Sequence, residues 1–404
     1  MADFNTIIDR AGTSALKWEK YAGEDVLPMW VADMDFASPP CVVDALRSRV
    51  DHGVFGYTVP PDELVDVVCT RFRERYCWPL EPEWLVWLPG VVPGLSAACT
   101  AYTEPGDDIA TFTPVYPPFL QLPRKCGRTV NRIPLAQQDE GRSILDPDLF
   151  ERSLTPRTRL LLLCQPHNPV GRVFTETELR PVLDICRRRD ILVCSDEIHC
   201  DLILDDRPHR PVASLHPDAP NRTVTLMSPG KTFNTAGLNL GFAVIPDDTL
   251  RRRYLRTSHY TIPHPNALAY TAALAAYRDG EPWRRELLAA LRANAHHTHT
   301  EINAIPNLTM PPVEATYLAW IDARSLDAQD PYEFFKTHGV ALSDGHLFDA
   351  PGFVRLNFAC PPATLATALT RIQAATSNRG QRSRLDILHP RGADSRSGGS
   401  SLLC

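Results

Sequence analysis

The chain has no long apolar run. Nothing in it approaches the roughly 20 residues that a helix needs to cross a bilayer, so no membrane partner is expected. The stretch from Met1 to Arg10 carries acids and lacks the apolar core of a signal peptide. Cysteine is present, with 11 residues, but no Cys-x-x-Cys pair occurs. That usage suits reduced thiols in a cytoplasm rather than a disulfide framework. The 13 histidines fall at no convincing metal-ligand spacing, so no metal is expected. His296, His297 and His299 lie on a polar helical stretch and read as surface. Excess positive charge is missing too. A formal net charge of −6 argues against a general polyanion binder, and no nucleic-acid partner is expected. Lysine is scarce beside arginine, a bias we read as compositional, along with the 37 prolines.

What is present suffices for a large folded core. A chain of 404 residues accommodates two domains. Hydrophobic content of 44% and charged content of 22% are ordinary for a globular protein. Short apolar, β-branched runs alternate with amphipathic segments, which predicts an α/β fold. The strand-like runs are Trp84–Leu88, Asp108–Thr111, Leu160–Cys164, Ile191–Ser195, Val224–Met227 and Gly241–Ile245. Glu178–Arg188 reads as a helix, because Leu179, Val182, Leu183 and Cys186 share one face. Residues 46–280 are expected to form a large domain. A smaller one combines 1–45 with 281–375, around the helix Pro282–Ala295 and the strand-like Tyr317–Asp322 and Phe353–Phe358. The stretch 379–404 holds Arg, Ser, Gly and Asp with few apolar residues and reads as a disordered tail.

Four polar residues stand at the edges of apolar runs. They are Asn168 in Asn168-Pro169-Val170-Gly171, Asp196 in Ser195-Asp196-Glu197-Ile198-His199, Lys231 in Ser228-Pro229-Gly230-Lys231-Thr232-Phe233-Asn234, and Arg355 in Arg355-Leu356-Asn357. Each alone is ordinary: a turn asparagine, a strand-end cap, a solvated lysine. Together, in this order, they are the polar anchors of enzymes that use pyridoxal phosphate (PLP). A lysine amine forms a Schiff base with the cofactor aldehyde. A carboxylate keeps the pyridine nitrogen protonated. An amide donor steadies the ring oxygen, and an arginine fork grips the substrate's α-carboxylate. The turn Pro89-Gly90 feeds Val91-Val92-Pro93-Gly94-Leu95-Ser96, a helix start whose free amides suit a phosphate. Taken by itself, that segment is better read as an ordinary strand-to-helix turn; a family resemblance is what favours the phosphate.

Over roughly residues 1–375 the chain resembles the fold-type I PLP-dependent enzymes, and within them the MalY/PatB group of cystathionine β-lyase-like carbon–sulfur lyases. The resemblance is carried by Met29-Trp30-Val31-Ala32-Asp33-Met34-Asp35-Phe36, Gly56-Tyr57-Thr58, Pro114-Val115-Tyr116-Pro117-Pro118-Phe119, Pro166-His167-Asn168-Pro169-Val170-Gly171-Arg172-Val173 and Ser195-Asp196-Glu197-Ile198-His199-Cys200-Asp201. Lys231-Thr232-Phe233-Asn234, Glu314-Ala315-Thr316-Tyr317-Leu318-Ala319-Trp320 and Val354-Arg355-Leu356-Asn357-Phe358-Ala359-Cys360 complete it. It implies a PLP-dependent transferase fold: a large domain with a mainly parallel seven-stranded sheet flanked by helices, a smaller α+β domain, and a homodimer.

The resemblance also implies roles. Lys231 is the Schiff-base lysine and the base at Cα. Asp196 and Asn168 hold the ring, Tyr116 stacks on it, and Ile198 packs beneath. Val91, Val92 and Ser228 hold the phosphate, with Tyr57 added across the dimer interface. Arg355, with Asn168, Tyr57, Trp30 and His346, meets the substrate. The anchors serve β-elimination and transamination alike, so a carbon–sulfur lyase is favoured with an aminotransferase as the alternative, and a regulator that retains PLP behind both. His199 and Asn239 differ from the usual aminotransferase residues and match the lyase-like group. Gly230 departs from that group's serine. The loop Asp344–Gly352, with Asp344 and His346, is shorter than usual and is expected to reshape the side-chain end of the pocket.

Overall fold

The computed structural model describes residues 2–138, 141–259 and 261–388. Seven strands form the main sheet. They are β1 (Leu85–Leu88), β2 (Asp108–Thr113), β3 (Thr129–Pro134), β4 (Thr158–Cys164), β5 (Leu192–Asp196), β6 (Thr223–Met227) and β7 (Gly241–Val244). Their order is β1-β7-β6-β5-β4-β2-β3. Only β7 runs antiparallel to its neighbours. The central strands are covered on both faces, which is why β4 can carry Leu160 to Leu163 without a polar break. β3 was not among the expected strands. It lies at the sheet edge and buries only Ile133, so its sequence lacks an apolar run.

Helices flank this sheet. α1 (Pro40–Asp51) and α2 (Asp62–Tyr76) pack with α6 (Ala267–Asp279) on one side. Thus α1 straddles the expected boundary at residue 45 and sits with the large domain. α3 (Val91–Tyr102) covers the other face of the sheet, and α4 (Pro117–Lys125) packs against α3. α5 (Glu176–Arg188) begins two residues before the expected helix. A capping box explains its start. Thr175 Oγ1 accepts from the Glu178 amide, and the Glu178 carboxylate accepts from the Thr175 amide.

The smaller sheet is antiparallel, in the order β8 (Leu318–Asp322), β10 (Phe353–Asn357), β9 (Ser343–Asp344). A short strand, Leu27–Pro28, pairs in parallel with Val340–Ala341 and ties the N-terminal segment to it. α7 (Glu281–Asn303) outlasts the expected Ala295, because Thr298 and Ile302 continue the buried stripe of Leu291 and Ala295. α8 (Pro362–Leu388) runs into the stretch read as a disordered tail. Extending an established helix fixes one residue per added bond and needs no new nucleus. Residues 389–404 of that stretch lie outside the described residues. One apolar cluster joins both sheets, from Phe242 and Val244 to Leu318 and Leu356. Among the described residues, no helix is long and apolar enough to cross a membrane.

Candidate active site

Parallel strands deliver their C-terminal ends to one sheet edge, and the loops that follow line the crevice there. β1 delivers Pro89 to Pro93, β4 delivers Asn168, β5 delivers Asp196 to His199, and β6 delivers Ser228 to Lys231. The small sheet closes the other side with Arg355 from β10 and Ser343 from β9. Between them lies a cavity of about 560 Å³. Trp30, Val91, Val92, Tyr116, Asn168, Asp196, Ile198, His199, Ser228, Lys231 and Arg355 all line it, as do Gly230, Asn239 and Asp344.

Two expected residues stand elsewhere. His346 does not line the cavity; its side chain is 57% exposed and its Nδ1 lies 3.0 Å from Asp344 Oδ1. The cause is local. Asp344 caps the short turn Gly345–Phe348 by accepting from the His346 amide, and that turn sends Phe348 inward and His346 outward. Tyr57 is fully exposed, on an arm without regular structure.

Asp196 is buried and accepts one backbone hydrogen bond, from the Ile198 amide at 3.1 Å. Burial pushes its carboxyl up to about 7, only partly offset by that bond and by the charge of Lys231. Lys231 donates to the Ala32 carbonyl at 2.6 Å. Burial, with the repulsion of Arg355, lowers its ammonium to about 8. Arg355 donates through Nη1 to Asn168 Oδ1 (2.9 Å), and through Nη2 to the Trp30 carbonyl (2.9 Å) and Ser343 Oγ (3.1 Å). Its guanidinium lies 4.7 Å over the Phe348 ring. These partners are all neutral. Among the described residues Arg355 has no carboxylate, and burial lowers it to about 10. Its Nε has no partner at all, and neither has His199 Nδ1. Burial holds His199 neutral, down at about 3.

These features fit a flat, phosphate-bearing cofactor. The N-terminus of α3 opens on the cavity with no side-chain cap, so its amides are free for an anion. Gly90 turns the chain into that helix at φ +126°, a conformation that favours glycine. A buried carboxylate, a lysine of lowered pKa and two orphaned ring or guanidinium nitrogens face the same space. Ser228 sits beside them, but its hydroxyl donates to the Leu240 carbonyl and accepts from the Gly230 amide at 3.0 Å. Gly230 is hemmed in: a Cβ there would meet Ser228 Oγ at 3.1 Å and Ala236 Cα at 3.2 Å.

The geometry adds residues to which the sequence reading gave no role. The segment Trp30–Met34 is held by its carbonyls. Ser343 and Arg355 donate to Trp30, Asn357 to Val31 and Asp33, Tyr317 and Lys231 to Ala32, and Asn234 to Met34. Tyr317, Asn357 and Asn234 stood inside the quoted motifs. What could not be read is that all of them point at one strap.

Residues 24–372 match the family described as aminotransferase class I and II. Cystathionine β-lyase PatB of Bacillus subtilis is 38% identical, over 93% of this chain and 100% of that protein. The crystal structure of OvoB superposes with a TM-score of 0.91 at 45% identity, covering 93% of this chain and 99% of that one. Cystalysin of Treponema denticola, whose structure contains a pyridoxal 5′-phosphate cofactor, gives a TM-score of 0.90 at 31% identity, covering 94% and 100%.

Proposed function

The chain belongs to the aminotransferase class I and II family, and from that premise we propose that it is a PLP-dependent carbon–sulfur β-lyase. It cleaves an S-substituted cysteine to a thiol, pyruvate and ammonia. Two observations carry the reading: a cystathionine β-lyase matches along its whole length, and the chain's anchors for that chemistry meet in one cavity.

Bound PLP supplies an aldehyde for the substrate amine and a ring that draws electrons from Cα. The chain supplies the rest. Free amides at Val91 and Val92 would hold the phosphate, with Ser228 beside them. Asp196 would hold a proton at the ring nitrogen, since a cation there compensates its buried charge. Asn168 commits its Oδ1 to Arg355, which leaves Nδ2 for the ring oxygen. Tyr116 and Ile198 would cover the two ring faces, and His199, which lines the same cavity, would stand beside them. Arg355 grips the α-carboxylate, its fork aimed by Asn168, Ser343 and the Trp30 carbonyl. Lys231 takes the Cα proton as a neutral amine, a form within reach near neutral pH because its pKa is lowered.

Three finer points belong to the same proposal. The enzyme is a homodimer in which Tyr57 reaches the partner's cavity. Val54, Phe55 and Val59 are exposed on the same arm, an apolar surface suited to burial against a second copy. It is cytoplasmic, in keeping with cysteines that are all free among the described residues. It prefers a bulky or polar S-conjugate over cystathionine, on account of the short Asp344–Gly352 loop.

The test is an assay with an S-alkyl cysteine and no keto acid. Thiol, pyruvate and ammonia should appear in equal amounts over many turnovers. One turnover followed by a halt would identify an aminotransferase instead.

A further inference from the structure

Lys20 lines the cavity, as do Trp30, Tyr332 and Asp344. Lys20 is exposed, and its ammonium lies near three rings: 4.4 Å from the centroid of Trp30, 5.1 Å from Tyr21 and 6.0 Å from Tyr332. The rings are themselves held. Trp30 Nε1 donates to the Lys17 carbonyl at 3.1 Å, and the Tyr21 and Tyr332 hydroxyls lie 3.3 Å apart. Neighbouring lysines are neutralised. Lys17 pairs with Asp35 at 2.7 Å, and Lys336, which shares the Tyr332 ring, pairs with Glu333 at 3.5 Å. Lys20 has no carboxylate within ion-pair distance among the described residues. The carboxylate on the same cavity wall, Asp344, turns its Oδ1 to the amide (2.9 Å) and ring Nδ1 (3.0 Å) of His346.

A ring attracts a cation but does not neutralise it, so the charge of Lys20 remains available to an anion. Trp30 links this charge to the substrate clamp. Its ring lies against Lys20 while its carbonyl accepts from Arg355 at 2.9 Å. Two uncompensated cations are thereby placed at two points of one cavity, on either side of a single anchored residue. Arg355 accounts for the α-carboxylate. Lys20 stands toward the loop end, where the sulfur substituent must extend.

We propose that Lys20 is a specificity-determining residue that binds a second carboxylate, carried on the leaving thiol. The preferred substrates are then cysteine thioethers whose sulfur substituent ends in an acid with no amine beside it, unlike the zwitterionic end of cystathionine, whose ammonium would repel Lys20. This rests on the lyase reading, which deepens from any S-substituted cysteine to an anionic one.

The test compares S-carboxyethylcysteine with S-propylcysteine, which differ chiefly in the terminal charge, on the holoenzyme and its Lys20→Arg and Lys20→Gln variants. In the wild type kcat/KM should favour the acid by about tenfold or more, the scale of a charge-assisted hydrogen bond. Lys20→Arg should retain that ratio and Lys20→Gln should lower it at least about tenfold. An unchanged ratio in Lys20→Gln would overturn the proposal. A second arm needs neither turnover nor a variant. Aminopimelate and aminoheptanoate, the sulfur-free counterparts, are titrated against the wild-type holoenzyme by the change in its visible band. Tighter binding of aminopimelate supports the proposal, and equal binding contradicts it. If neither thioether is cleaved, the lyase reading fails, and this second arm still decides the role of Lys20.

Discussion

Asp196 and Asp201 lie on the same stretch of chain, both buried, and their surroundings treat them in opposite ways. Around Asp201 the Oδ1 atom meets Arg71 at 2.8 Å, Arg75 at 2.9 Å and the Tyr76 hydroxyl at 2.7 Å. Those charges overcome desolvation and hold its carboxyl well below the ordinary range. Asp196 receives one backbone amide, and burial wins. A carboxylate that serves the fold is supplied with its partners by the chain. One whose charge is left uncompensated belongs to a site that a ligand completes. Arg355 and Lys17 repeat the contrast among cations: Lys17 has Asp35, while Arg355 has only neutral acceptors.

The comparison can be broken by substitution. Asp201→Asn should have the largest effect on stability, about 3–5 kcal/mol in denaturant unfolding, since it leaves the buried Arg71 with only Glu281, at 3.8 Å. Asp196→Asn should invert that result. Turnover should fall about 10²–10³-fold, as expected when a preorganised charge is lost, while the fold survives. The pH dependence sharpens this. The folded-state pKa of Asp196, about 7, lies above the ordinary 3.8, so its protonated form favours folding. That contribution is whole below about pH 4 and is lost as pH rises through about 7. Above that pH the cofactor-free Asp196→Asn protein should therefore be at least as stable as wild type. For Asp201, whose pKa is depressed, the contribution is present above the ordinary carboxyl range and is lost as pH falls.

Arg355→Lys tests the cationic half. It keeps the charge and loses the fork, and kcat/KM should fall at least about tenfold, the loss of about 1.5–3 kcal/mol in a charge-assisted bond. Unchanged kinetics would assign the carboxylate to another group. The smallest effect concerns Lys231. Its ammonium is lowered to about 8, so PLP uptake by the cofactor-free protein should quicken several-fold as pH rises toward that value. Stopped-flow absorbance across that range reads it directly.

Much of the cavity was legible in the sequence because its chemistry restricts residue type. Asn168, Asp196 and Lys231 each end or follow an apolar run that had to be a strand, and parallel strands bring such ends together; Arg355 reaches them from the small antiparallel sheet. The rest depends on partners that periodicity does not encode. His346 faces away because Asp344 caps the next turn, a bond between near neighbours that leaves no pattern. The Trp30–Met34 strap is held by Ser343, Asn357 and Asn234 from distant parts of the chain. Ser228 showed its hydroxyl but not the Leu240 carbonyl that takes it. β3 hid because an edge strand buries too little to need an apolar run. Lys20 drew no reading at all, since only the folded chain brings three rings to it.

The claim that the uncompensated charges form one PLP site is tested most directly by borohydride reduction of the holoenzyme followed by peptide mapping. The account predicts that the cofactor is fixed on a single peptide, at Lys231. Fixation on another lysine, Lys17 or Lys20 included, or no fixation at all, would contradict it.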